Sequence, residues 1–158
     1  MQKITTFLTF DSRAEEAVNL YTSVFPRSKI VSTSRYGEGG PGPKGSLMSA
    51  TFELEGQTFM ALNGGPSFAF SQGISLFVSV TTQKEIDEYT AKLTEGGGEL
   101  VACGWIRDRF GVSWQIVPTI LNELLSDPDR GRATRAMQAM MKMKKLDIAE
   151  LKRAADGK

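Results

Sequence analysis

Residues 74–93, ISLFVSVTTQKEIDEYTAKL, decide how the chain is read. The run ISLFVSV (74–80) reads as a strand, and Thr82 with Glu85 three positions on forms a capping box. Ile86, Tyr89 and Leu93 then share one face of the helix that follows, and Gly96, Gly97 and Gly98 end it. Strands are expected around ELVACG, WIRD and VSWQIVP, which completes a β-α-β-β-β unit. Working back, KITTFLTF (3–10) is a β-rich run closed by Asp11. Ser12 with Glu15 offers a second capping box, and Ala14, Ala17, Val18, Tyr21, Val24 and Phe25 recur at helical spacing until Pro26. KIVSTSRYG is a second strand, and EGGPGPKGS a loop too rich in Gly and Pro for regular structure. Residues 47–54 and 57–63 form a hairpin turning at LEGQ. The same order thus recurs about 69 residues later. The expected fold class is α+β, with two tandem modules at about 1–64 and 74–118.

Composition narrows the chemistry. The 158 residues are 41% hydrophobic, enough for a sizeable core, and 19 basic against 18 acidic residues leave no global field toward nucleic acid or an anionic membrane. No leader-like or membrane-spanning run is seen. Cys103 is the single cysteine, which excludes an intrachain disulfide and favours a reducing cytoplasm. Histidine is absent, so serine–histidine and cysteine–histidine nucleophile pairs are excluded within one chain. Any general acid or base must be a carboxylate, Lys, Tyr or Cys103.

The segments ITTFLTFDSRAEEAVNLYTSVFP, SLFVSV and CGWIRDRFGVSWQIVPTILNELLSDPD resemble the PhnB-like branch of the glyoxalase-type vicinal oxygen chelate superfamily, nearly end to end. That branch is often labelled a 3-demethylubiquinone-9 3-methyltransferase domain. No Gly-rich β-turn-α segment with a downstream acidic residue supports the methyltransferase label. The resemblance implies that each module curls into half a barrel framing a pocket, and that residues 1–128 form the glyoxalase-like domain. It also implies, for metal-dependent members, four ligand positions, which strand matching puts near Thr6, Ala61, Ser75 and Gln115. Three of these hold no competent ligand and the fourth only an amide, so the metal site is expected to be lost and no cofactor is expected.

Strand alternation orders the candidate lining. If Thr6 faces the pocket, so do Leu8 and Phe10, and Phe59, Ala61, Ser75, Phe77, Ser79, Ser113 and Gln115 join them. That lining suits a small, partly apolar ligand held by a few hydrogen bonds. Gln115 either contacts the ligand or satisfies a buried neighbour. Phe68 and Phe70, in the loop at 63–73, either close over a ligand or anchor the loop. Trp105 and Trp114 read as packing, Arg107, Asp108 and Arg109 as a solvated turn, Cys103 as an inert buried thiol, and the Gly-rich loop at 37–45, which lacks the phosphate-loop pattern, as a mobile surface loop or lid.

Beyond Pro118 the chain turns helical. TILNELLSD, RGRATRAMQAMMKMKK and a helix capped by Asp147 with Glu150, stapled by Leu146 and Leu151, are expected, with 129–158 forming an extension on the domain or a dimer partner. This extension holds nine basic and four acidic residues without aromatic interleaving, so nucleic acid is not expected. Met137, Met140, Met141 and Met143 suit packing on the protein or on a second subunit, and a homodimer is expected. Two functions stay open: a small-molecule-binding module, or an enzyme of lyase, isomerase or dioxygenase type on the same fold, working without a metal or holding one by other ligands.

Overall fold

The structure, a computed structural model, describes residues 2–158. The chain divides into two compact units, residues 1–69 and 70–158. In the first, β1 (Thr6–Phe10) leads to α1 (Ala14–Val24), β2 (Ser28–Arg35), β3 (Leu47–Leu54) and β4 (Gln57–Asn63). Its sheet runs β1-β4-β3-β2, with β1 parallel to β4 and the other pairs antiparallel. The second unit repeats this with β5 (Ser75–Val80), α2 (Gln83–Thr94), β6 (Glu99–Ala102), β7 (Trp105–Arg107) and β8 (Ser113–Pro118), ordered β5-β8-β7-β6. The α+β class and the tandem β-α-β-β-β order therefore hold.

Each helix packs on one face of its own sheet. The apolar stripe of α1, with Ala14, Ala17, Val18, Tyr21 and Val24 all buried, meets Phe52, whose ring lies 6.4 Å from Tyr21 and stacks at 5.5 Å on Phe59. In the second unit Ile86 and Leu93 of α2 are fully buried with Trp114, Ile116 and Ile106 of the sheet. Burying such side chains contributes about 1.5–3 kcal/mol each. Both tight hairpins use a residue–glycine pair at positive φ, Glu55–Gly56 and Cys103–Gly104, the geometry that matches strand twist.

The two helix starts differ. Thr82 accepts a hydrogen bond from Glu85 N at 3.2 Å, as the capping box requires. At α1 the expected Ser12 cap is not made: the helix starts one residue later, Arg13 is the cap position, and no side chain of its own caps it. Asn63 does the work from β4 instead. Its Oδ1 accepts from Ala14 N at 2.8 Å and its Nδ2 donates to Leu47 O at 3.0 Å, while its own carbonyl accepts from Tyr36 OH at 3.1 Å.

After β8 come α3 (Thr119–Leu125), α4 (Arg130–Met141) and α5 (Ile148–Ala155), sharing a core of Leu121, Leu124, Ala136, Leu146, Leu151 and Ala155. Asp147 caps α5 through Glu150 N at 2.9 Å. Met140 and Met143 pack against this core, while Met137 and Met141 are exposed. Gln83 of α2 clasps the segment, donating to Leu146 O at 3.0 Å and accepting from Ile148 N at 2.9 Å. Lys145 pairs with Asp87 at 2.9 Å, and its hydrogen bond, with that of Gln83, holds the Asp87 carboxyl below its ordinary value. No helix is long and apolar enough to cross a membrane among the described residues.

Candidate functional site

In each sheet the helix covers one face, and the strand side chains alternate between that face and the opposite one. In the second unit the alternation is as expected from sequence. Leu76, Val78 and Val80 share the face of Trp114 and Ile116 under α2, which turns Ser75, Phe77 and Ser79 to the opposite face with Ser113 and Gln115. Phe77 is 61% exposed and Ser79 is exposed, while Ser113 is buried. The register sets Ser75 opposite Ser113 and Phe77 opposite Gln115. Gln115 Nε2 donates to Ser75 Oγ at 2.9 Å, a bond between neighbouring strands on that face. Trp105, directly across from Gln115 on β7, is half-buried beside them.

The first unit differs. Thr6, Leu8 and Phe10 pair with Phe59, Ala61 and Asn63, and this is the face on which α1 packs. Leu8, Phe10, Phe59 and Ala61 are buried there, at most 7% exposed. They form the floor beneath the helix. The opposite face carries the alternate set, Phe7, Thr9, Met60 and Leu62, with Ser49 and Thr51 from β3.

Phe68 is half exposed and folds back on Gly64 of its own unit, whereas Phe70 lies over Gly111 in the turn before β8. That turn corrects one expectation. Asp108 is 3% exposed, not solvated, because its carboxylate accepts from Phe110 N at 2.9 Å, Val112 N at 3.0 Å and Trp114 Nε1 at 2.9 Å. Arg107 pairs with Glu99, and Arg109 lies 4.8 Å from the Phe110 ring centre and donates to Glu95 O. Cys103 is half-buried in its hairpin turn, not enclosed. Asp108 and Asn63, the two polar residues that organise the strand ends, escaped the sequence reading. The usable signals were an Asp two residues before a Phe-Gly pair and five before a β-strand, and an Asn closing a strand before Gly-Gly.

The four positions matched to metal ligands do not fit a divalent ion. Thr6 and Ala61 sit on the helix-covered face, Ser75 and Gln115 hydrogen-bond each other, and no three His, Cys, Asp or Glu side chains come together among the described residues. What Ser75 and Gln115 offer is a hydroxyl and the amide oxygen Oε1, beside the exposed Phe77 ring.

A family model described as 3-demethylubiquinone-9 3-methyltransferase matches residues 2–117. Among solved structures, a PhnB protein from Bacillus cereus, described as a candidate 3-demethylubiquinone-9 3-methyltransferase, is 44% identical, with a TM-score of 0.70 over 75% of this chain and 100% of its own. Protein PA1353 from Pseudomonas aeruginosa is 22% identical, covering 75% of this chain and 98% of its own, with a TM-score of 0.61. The fosfomycin resistance protein FosX from Listeria monocytogenes, solved with Mn(II) and sulfate, is 17% identical over 80% of this chain and 100% of its own, with a TM-score of 0.56. The last two show likeness of fold. No curated protein gives a significant match.

Proposed function

The chain belongs to the 3-demethylubiquinone-9 3-methyltransferase, or PhnB-like, family of the glyoxalase-type vicinal oxygen chelate superfamily, and we propose that it binds a small, partly apolar oxygenated molecule without a metal. The observation that carries this reading is the Gln115–Ser75 hydrogen bond on the face of β5 and β8 opposite α2. It fixes the amide so that Oε1 points away from the donor it has spent, ready to accept from a ligand hydroxyl. Phe77 supplies the apolar surface, and Ser79 a further hydroxyl. The family label names methyl transfer, yet neither sheet is the parallel, doubly wound kind that holds adenosyl cofactors.

The test is native mass spectrometry of the purified protein before and after chelation, followed by the same measurement on Gln115→Ala. A retained small molecule that survives chelator and is lost from the variant supports the reading. A stoichiometric divalent ion removed by chelator overturns it.

The protein is further proposed to work as a homodimer in a reducing cytoplasm. Support for pairing comes from Ile4, 88% exposed in the first unit, and its repeat equivalent Ile74, 76% exposed in the second. Apolar side chains left in water at the same place in both modules mark a surface for association. Light scattering should give twice the 17.3 kDa chain mass, and a monomer at all concentrations would refute it.

A further inference from the structure

A cleft of about 770 Å³ opens in the first unit where β1 and β4 end, and none of the sequence-predicted residues lines it. We propose that this cleft is a separate binding site for a small aromatic compound carrying an ammonium group. Its volume falls in the range of small-molecule pockets. Its walls are held in place before any ligand arrives. The Gly/Pro loop packs directly on the Tyr36 ring, so closely that a Cβ on Gly42 would run into it, and Tyr36 OH is tied to Asn63. Gly45 N bonds to Tyr36 O at 2.8 Å and Tyr36 N to Ser46 O at 3.0 Å, closing the loop at its base. The segment expected from composition to be mobile is thus anchored on an aromatic ring.

The lining decides the ligand. Tyr36, Met48 and Leu62 supply an apolar wall for a flat ring. Two charged residues line the cleft, Asp11 and Arg35. The Arg35 guanidinium is already engaged: it contacts Glu15 at 2.5 and 3.2 Å and donates to Gly45 O at 3.1 Å. The Asp11 carboxylate makes no hydrogen bond or ion pair among the described residues, and its neighbour Ser12 has an equally free, exposed hydroxyl. The rim therefore offers one uncompensated negative charge beside an apolar wall, which rejects anions and accepts an amine. The Tyr36 ring adds to the preference for a cation.

The experiment titrates ¹⁵N-labelled protein with 2-naphthylmethylamine, 2-naphthylmethanol and 2-naphthoate, following the amides of Gly37, Gly40, Gly64 and Gly65. The amine is expected to shift these amides with roughly three- to fivefold higher affinity than the alcohol, as suits an exposed ion pair, and the carboxylate to bind most weakly. Asp11→Asn should bring the amine down to the level of the alcohol. Among the described residues the Asp11 side chain makes no hydrogen bond or ion pair, so the variant's spectrum should otherwise be unchanged. Gln115→Ala should leave the titration as it is, which separates failure of this site from failure of the β5–β8 face. Equal affinities for amine and alcohol in the unmodified protein, no shifts at these glycines, or an Asp11→Asn variant that keeps the preference would each overturn the proposal.

Discussion

The two modules follow one order of elements and differ by one residue between first strand and helix. Residues 11–13 join β1 to α1, whereas 81 and 82 join β5 to α2. The helices are therefore offset by 69 residues (Ala14 to Gln83), but the buried last residues of the strands by 70 (Phe10 to Val80). Because side chains alternate across a sheet, a slip of one residue exchanges the faces completely. A single offset carried from Ser75 lands on Thr6, beneath a helix, when the residue that faces outward like Phe77 is Phe7. An extra residue in a connection is cheap for the chain and decisive for which side chains a ligand meets.

The sharpest way to break this comparison is to truncate one ring from each expected lining. Phe59→Ala should lose about 3–5 kcal/mol of stability in chemical denaturation, because it empties the core under α1. Phe77→Ala should stay within about 0.5 kcal/mol. Equal losses would mean that the faces are not distinct. Next in size, Asp108→Ala should cost about 3 kcal/mol and alter Trp114 fluorescence, since it strands an indole N–H and two amides in a buried turn. Unchanged fluorescence would count against the bond to the indole.

Asn63→Ala should cost about 2 kcal/mol, as it leaves Ala14 N and Leu47 O without their partner. The second module ends the matching strand in Pro118 and has no such residue. The helix caps sharpen the same asymmetry: Thr82→Ala should lower stability by about 1 kcal/mol, and Ser12→Ala by much less, because only the threonine caps. Matched losses would show that α1 uses Ser12 after all.

The smallest effect is a dependence on pH. The hydrogen bond from Arg35 lowers the pKa of Glu15, which burial only partly opposes. A carboxylate depressed in the folded state contributes stability above its ordinary pKa, and that contribution is lost as pH falls through the lower folded value. An acid titration followed by circular dichroism should therefore show a smaller pH dependence in Arg35→Gln. The change should be slight, since the pair is exposed.

Element order, the β3–β4 hairpin, the buried stripe of α1 and the caps at Thr82 and Asp147 were legible because each rests on local spacing or local chemistry. The outward face of β5 and β8 was legible too. The face of β1 and β4 was not, because it depends on where α1 begins, and that is set by Asn63, 49 residues from Ala14. Asp108 misled for a similar reason. Flanked by two arginines it reads as a solvated charge, and only the folded turn brings three donors to it.

The hairpin turn at Cys103–Gly104 carries one further consequence. Its two amides donate to Met143 O and Lys144 O, both at 2.8 Å, and Leu146 lies against Gly104 where a Cβ would stand. A ribosome emitting this chain has delivered every strand of the first unit by residue 63, so that half can organise while synthesis continues. The second half has its last strand at Pro118, yet its turn stays without these partners until residues some 25 positions further on have emerged. Folding of the C-terminal half thus waits until residues 143–146 have emerged, and the helices that follow β8 serve as its closing step.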